Sequence, residues 1–151
     1  IVLEWINFQC PFVKKHYETE NMQKLQQKYT AKGIKWLSVC SSAPGRQGHF
    51  DNKMISKHLK KYNAKPTMYF VDESGDLGRE YGAKTTPTMV VINPEGEIVY
   101  HGAIDDRPTT DEDDVEGARN YLVDVLDAIL AGKPAPVSRT KAYGCSVKYD
   151  K

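Results

Sequence analysis

Apolar patterns of strand type and helix type alternate along this chain from end to end, which leaves few ways to fold it. Ile1 to Asn7 reads as a buried strand. Pro11 stands where a first helical residue would. Phe12, Val13, Tyr17, Leu25 and Tyr29 then recur at helical spacing, so one helix is expected up to Gly33. Ile34 to Cys40 alternates as a second strand, and Ser41 to Phe50, with Pro44, Gly45 and Gly48, reads as a loop. Asp51 suits the N-cap of a helix whose Met54, Ile55, His58, Leu59 and Tyr62 share a face. Met68 to Val71 makes a third strand, closed by the Asp72–Gly75 turn, and a short helix follows around Leu77 to Tyr81. Thr88 to Ile92, the turn Asn93-Pro94-Glu95-Gly96 and Glu97 to Gly102 form a hairpin. Thr110 with Asp113 resembles a capping box for a last helix. Its apolar stripe is Ala118, Leu122, Val125, Leu126 and Ile129, and Gly132 and Pro134 end it. The order β-α-β-α-β-α-β-β-α predicts an α/β domain with a central, mostly parallel sheet, an antiparallel C-terminal hairpin and helices on both faces.

The 151 residues suffice for one domain, expected over 1–132, with residues 133–151 a tail carrying Cys145. With 21 Lys+Arg against 20 Asp+Glu, no global charge argues for a nucleic-acid partner. Apolar runs of only a few residues exclude a membrane-spanning helix. The three cysteines are too scattered for a disulfide framework and leave at least one thiol unpaired. The chain opens on Ile1, already inside a strand pattern, which suggests a trimmed or processed chain lacking its native N-terminal segment. The expectation is a soluble protein of the cytoplasm or the cell envelope.

In open α/β sheets, sites form beyond the carboxyl ends of strands, where helices begin. That place reads Asn7-Phe8-Gln9-Cys10-Pro11-Phe12-Val13. A cysteine at a helix N-cap faces free backbone N–H groups and the positive end of the helix dipole, and both favour thiolate over thiol. Pro11 costs no hydrogen bond at the first helical position and pre-sets the turn. The plainer reading is a small apolar residue filling a strand-to-helix corner.

A second motif, Thr85-Thr86-Pro87-Thr88, stands directly before the strongest strand. Cys-Pro-x-x at a helix start, then Thr-Pro-Thr, strand, Asn-Pro-Glu-Gly and strand, resembles the thioredoxin fold. Within that fold it is similar to the redoxin group, which includes the peroxiredoxins (AhpC/TSA) and the TlpA/ResA-type thiol oxidoreductases. The resemblance covers about residues 1–131. It implies that Cys10 is the first, nucleophilic cysteine of a Cys-x-x-Cys motif. It also implies that Pro87 follows a cis bond and faces that cysteine, and that the backbone beside Pro87, at Thr86, pairs with substrate.

The departures are as informative. Val13 replaces the second motif cysteine, so no local disulfide can form. Asn7 stands where the peroxiredoxin pattern has Thr or Ser, although its amide can still donate to a sulfur or peroxide oxygen. None of Arg46, Arg79, Arg107, Arg119 and Arg139 can be singled out as the peroxiredoxin arginine. Two roles are open to Cys145: an incidental exposed thiol, or a resolving cysteine that attacks an oxidised Cys10. The 13 residue steps from Gly132 could carry it roughly 40 Å, within the chain or to another subunit. Cys40 is expected in the core and is the second choice as partner. His16 reads as a surface residue; His49, His58 and His101 show no metal-site spacing.

The leading expectation is a thiol-dependent oxidoreductase of the peroxiredoxin-related class. Cys10 and Cys145 are its catalytic pair, and Asn7, Pro11, Thr86 and Pro87 line the substrate side. The partners expected are a thiol reductant and a peroxide or protein disulfide, with no metal, flavin or nucleotide and an oligomer left open. The alternatives are a monothiol disulfide reductase or isomerase acting on proteins, and a redox-inactive peptide-binding module.

Overall fold

The computed structural model describes residues 1–150. Its strands are β1 (Val2–Trp5), β2 (Trp36–Cys40), β3 (Met68–Val71), β4 (Thr85–Thr86), β5 (Thr88–Ile92), β6 (Ile98–Gly102) and β7 (Cys145–Ser146). Five of them form one sheet in the order β3-β2-β1-β5-β6, and β4 with β7 form a two-stranded sheet. β1, β2 and β3 pair in parallel, β5 lies antiparallel to β1, and β6 antiparallel to β5. Only β5 therefore runs against the rest of the large sheet. This is the thioredoxin-like α/β arrangement, with the hairpin made by β5 and β6.

The helices are α1 (Pro11–Glu18), α2 (Asn21–Thr30), α3 (Asn52–Lys61), α4 (Asp76–Glu80) and α5 (Tyr121–Leu130). Alternation along β1 sends Val2 into the larger core with Val13, Tyr17, Met22, Trp36, Met89 and Leu122. Leu3 and Trp5 go to the other face, against Val39, Val90 and Leu77. Among the described residues, no helix is long and apolar enough to cross a membrane.

Two helix boundaries differ from the sequence expectation. The single helix from Pro11 is broken at Glu20, which takes a left-handed conformation (φ 63) and starts α2 in a new direction. The last helix starts later than the acidic run suggests. Asp111 caps only a 3-10 turn at Glu112–Asp114, Gly117 turns the chain at positive φ, and Asn120 caps α5 by accepting from the Val123 N–H at 2.9 Å. Asp51 caps α3 as expected, accepting from Met54 N at 2.8 Å.

Glu4, in the middle of β1, is completely buried. Its carboxyl accepts from Tyr17 OH (2.6 Å) of α1, Gln26 Nε2 (3.3 Å) of α2, and Trp36 Nε1 (2.9 Å) and Ser38 Oγ (2.8 Å) of β2. Burial pushes this carboxyl up from the ordinary range, and its four hydrogen bonds work against that shift.

The C-terminal segment is laid across the domain. Ser138 and Thr140 bond to the His101 backbone, and the Thr140 hydroxyl meets Tyr100 OH and the Ala103 N–H over Gly102. Tyr143 stacks edge-on against Phe12 and donates to Asp105 Oδ1 at 2.6 Å. β7 follows, and at the far end Tyr149 donates to Ala83 O at 2.6 Å. Gly75 and Gly78 leave the space its ring fills.

His16 is a correction: it is not on the surface but fully buried. Asn21 Nδ2 donates to its Nδ1 (2.9 Å), and its Nε2–H donates to the Tyr143 oxygen (3.1 Å), an arrangement that fits the neutral ring. The tail covers it, and nothing local to α1 announces that cover.

Two stability outcomes follow. Glu4→Leu strands four buried donors and should lower the unfolding free energy in urea by about 3 kcal/mol, with Glu4→Gln costing clearly less. His16 is pushed down to about 3 by burial and by Lys15. Between the ordinary value of about 6.5 and that value, the unfolded chain binds a proton that the folded chain refuses, so stability falls as pH falls. Asp105, raised by burial, acts in the opposite direction. His16→Gln leaves Asp105 in place and isolates the histidine. The stability margin of the natural protein over this variant should shrink by up to about 1.4 kcal/mol per pH unit below 6.5.

Candidate active site

β1 delivers the chain to a turn that Asn7 closes twice. Its carbonyl accepts from Cys10 N at 2.9 Å, and its side-chain oxygen accepts from Gln9 N at 2.8 Å. Cys10 is the N-cap of α1 in extended conformation, with Pro11 as the first helical residue. The Val13 and Lys14 N–H groups bond to the Cys10 carbonyl at 3.0 and 2.9 Å. The sulfur is buried, and in the thiol form it donates to Thr86 O at 3.4 Å. The Thr86–Pro87 bond is cis.

Over this pair lies β7. It runs antiparallel to β4 with Thr86 opposite Cys145 and Thr85 opposite Ser146. Residues opposite each other in such a ladder point to the same face, so Thr86 and Cys145 share a face, and both act on the Cys10 thiol. Gly144 has φ +145, and a β-carbon there would overlap the Thr86 carbonyl oxygen. Only glycine lets the tail lie this close.

Burial raises the Cys10 thiol, but the Cys145 thiol, the Thr86 side chain and the Val13 and Cys145 N–H groups outweigh it, and the net direction is down. The Thr86 hydroxyl is buried and has no hydrogen-bond partner among the described residues. The thiol closes no capping hydrogen bond of standard geometry. The Val13 N–H at the helix end and the Cys145 thiol in the tail both favour the Cys10 thiolate. Cys145 is pushed up to about 11, first by burial and then by its hydrogen bond to Cys10 and the Cys10 charge. Of the two thiols, Cys10 is therefore the one that gives up its proton first.

The remaining expected residues spread out. Asn7 makes no hydrogen bond with the Cys10 sulfur, because its amide nitrogen turns to Gln47 O and Oε1 at 3.5 and 3.4 Å. Its part is to shape the turn. Val13 is a core residue. Cys40 is buried and donates to Gly48 O at 3.4 Å, sharing no hydrogen bond with Cys10. Arg46 and Arg79 bond to the backbone of the tail at Tyr149 and Asp150. Arg107 and Arg119 pair with Asp106, Asp114 and Asp124. Tyr143, Gly144 and Tyr149 position Cys145; Gly144 before the cysteine was the visible signal, through its freedom of backbone angle, and the two tyrosines escaped the sequence reading.

A scan against protein families matches residues 1–121 to the family described as Redoxin. The chain belongs to the Redoxin family. This places it in the thiol-oxidoreductase class. A search of curated proteins returns no match. Two solved structures are similar along 99% of the chain. One is the hypothetical protein SMc02350 of Sinorhizobium meliloti 1021, with TM-score 0.81, 25% identity and 79% of its own length covered. The other is an uncharacterized conserved protein of Geobacillus kaustophilus, with TM-score 0.82, 26% identity and 76% covered. A "Putative Thioredoxin" from Neisseria meningitidis shares the fold at TM-score 0.52 and 22% identity, over 66% of this chain and 61% of that one.

Iodoacetamide alkylation of the Cys10 peptide, followed against pH by mass analysis, should inflect below the ordinary thiol value of about 8.5. Cys145→Ala removes the first of the contacts that favour the thiolate, so the inflection should move upward. An unchanged inflection would show that Cys145 does not tune Cys10.

Proposed function

We propose that this chain is a two-cysteine thiol oxidoreductase. The Cys10 thiolate attacks the O–O bond of a hydroperoxide or the S–S bond of a disulfide, and Cys145 resolves the product. The observation that carries this reading is Cys145 on a strand paired to Thr86, the residue whose carbonyl accepts from the Cys10 thiol at 3.4 Å.

With a hydroperoxide, the Cys10 sulfur takes the terminal oxygen and becomes sulfenic acid, and the alkoxide or hydroxide leaves as alcohol or water after taking up a proton. Cys145, as thiolate, then attacks the Cys10 sulfur. The S–O bond breaks, water leaves and a Cys10–Cys145 disulfide forms. Two equivalents of an external thiol return both cysteines to the reduced state and leave as their own disulfide. With a disulfide substrate, one half leaves as thiol when Cys10 attacks and the other when Cys145 does. Thr86 and Pro87 form the wall beside the sulfur, and Pro11 and Asn7 hold the turn that presents it. A partner thiol in place speaks against a single-cysteine cycle, and the lowered Cys10 value speaks against an inert relic.

One equivalent of peroxide or diamide should give a Cys10–Cys145 peptide on non-reducing mass mapping. In Cys145→Ser, Cys10 should instead appear as sulfinic acid or as an adduct with added thiol. A Cys10–Cys40 peptide in the natural chain would overturn the assignment of Cys145.

A further inference from the structure

We infer that β7 determines which oxidants this site accepts, holding the β4 edge closed to polypeptides so that Cys10 is reached by small disulfides and peroxides. The inference rests on Cys10 being the nucleophile. β4 is two residues long and, among the described residues, hydrogen-bonds in a ladder to β7 alone. An extended polypeptide that brought a disulfide to Cys10 would need backbone partners beside the sulfur, and the chain's own Gly144-Cys145-Ser146 already holds that edge.

The closure is built from both sides. Upstream, Tyr143 is anchored on Asp105 and Phe12. Downstream, Val147 N bonds to Lys84 O (3.0 Å) and Lys148 O accepts from Ala43 N (2.8 Å). Tyr149 then ends the run, with its ring under Arg79 at 4.6 Å and its hydroxyl on Ala83 O. Gly144 is the residue on which the fit turns, since any side chain there strikes Thr86. Cys10 itself has no exposed surface, so every reaction begins with some opening of this cover. A small molecule needs a local shift of Cys145. A polypeptide needs the whole strand displaced, with Cys145 carried away from the sulfur it must later resolve.

The chemistry at Cys10 is the same for both kinds of disulfide. Its thiolate bonds to one sulfur, the S–S bond breaks and the other half leaves as thiolate. Only access differs, so the ratio of the two rates isolates the gate from any change in Cys10 reactivity.

The experiment uses the full chain, reduced, in its natural form and as Tyr149→Ala and Gly144→Val. Single-turnover rates are measured with 2-hydroxyethyl disulfide and with insulin as the polypeptide disulfide. Tyr149→Ala keeps every residue around Cys10 and loosens only the far anchor, so it serves if Gly144→Val fails to fold. Both variants should raise the insulin rate relative to the small-disulfide rate by roughly tenfold, as expected for losing an anchor of hydrogen-bond strength. A natural chain that already reduces insulin as readily as its variants, with small-disulfide rates intact, overturns the gate and leaves the Cys10–Cys145 pair standing. If Cys10 reacts with neither disulfide in any form, the nucleophile assignment falls and the gate with it.

Discussion

A carboxyl group sealed inside the central strand holds this molecule in register. Glu4 has no water to turn to, and a buried carboxyl without partners would cost several kcal/mol. Four donors from α1, α2 and β2 must therefore converge on it. Once they do, Tyr17 fixes how far α1 stands from the sheet and Gln26 fixes α2 beyond the break at Glu20. Gln26 also accepts from Lys65 N at 2.7 Å, so the same hub sets the approach to β3. Cys10 lies between β1 and α1, two elements tied to each other through Glu4, and its place at the helix start follows from that tie.

The tail supplies what the first 132 residues lack. A thioredoxin-like site with Val13 at the second motif position has no local partner for its nucleophile. The thiol proposed as that partner comes from 135 positions further along the chain, Cys10 to Cys145, along a path fastened at Thr140, Tyr143, Lys148 and Tyr149. No single fastening is strong, each being of hydrogen-bond size, about 1 kcal/mol net. They act on one segment whose ends are both tied, so the entropy of ordering it is shared among them. His16 and Asp105 belong to this fastening. Their burial makes sense only with Tyr143 above them.

How much of this could be read from sequence depended on range. The layered fold was legible because apolar period changes from 2 to 3.6 at each boundary, and Cys10 was legible because it falls at such a boundary. The break at Glu20 was not, since neither Gly nor Pro marks it and helical spacing runs on through Thr19-Glu20-Asn21. The acids at 111–114 looked like a helix start because they do cap a turn, and Gly117 then ends it. β4 and β7 were illegible in principle: two residues have no period, and their pairing spans 59 positions, Thr86 to Cys145. His16 looked exposed because its cover comes from residue 143. Glu4 was in plain view inside an apolar strand, and its meaning lay in the rule that a buried charge needs partners.

The coupling of the two thiols gives the proposed cycle its order. In the reduced protein Cys145 holds its proton, since apart from burial both groups of causes that raise it come from Cys10: the hydrogen bond it donates and the charge it faces. That same hydrogen bond lowers Cys10, so the nucleophile is sharpened by blunting its partner. When Cys10 becomes sulfenic acid, its charge is gone, and the reason for Cys145 to keep the proton weakens with it. Burial is then opposed by the Phe12 N–H and by Lys148, both of which favour the Cys145 thiolate. The resolving thiol is thus restrained while there is nothing to resolve and released by the oxidation it answers. Neither metal nor added base is needed for this sequence of events. It follows from two neighbouring sulfur atoms, each of which resists ionising while the other carries a charge.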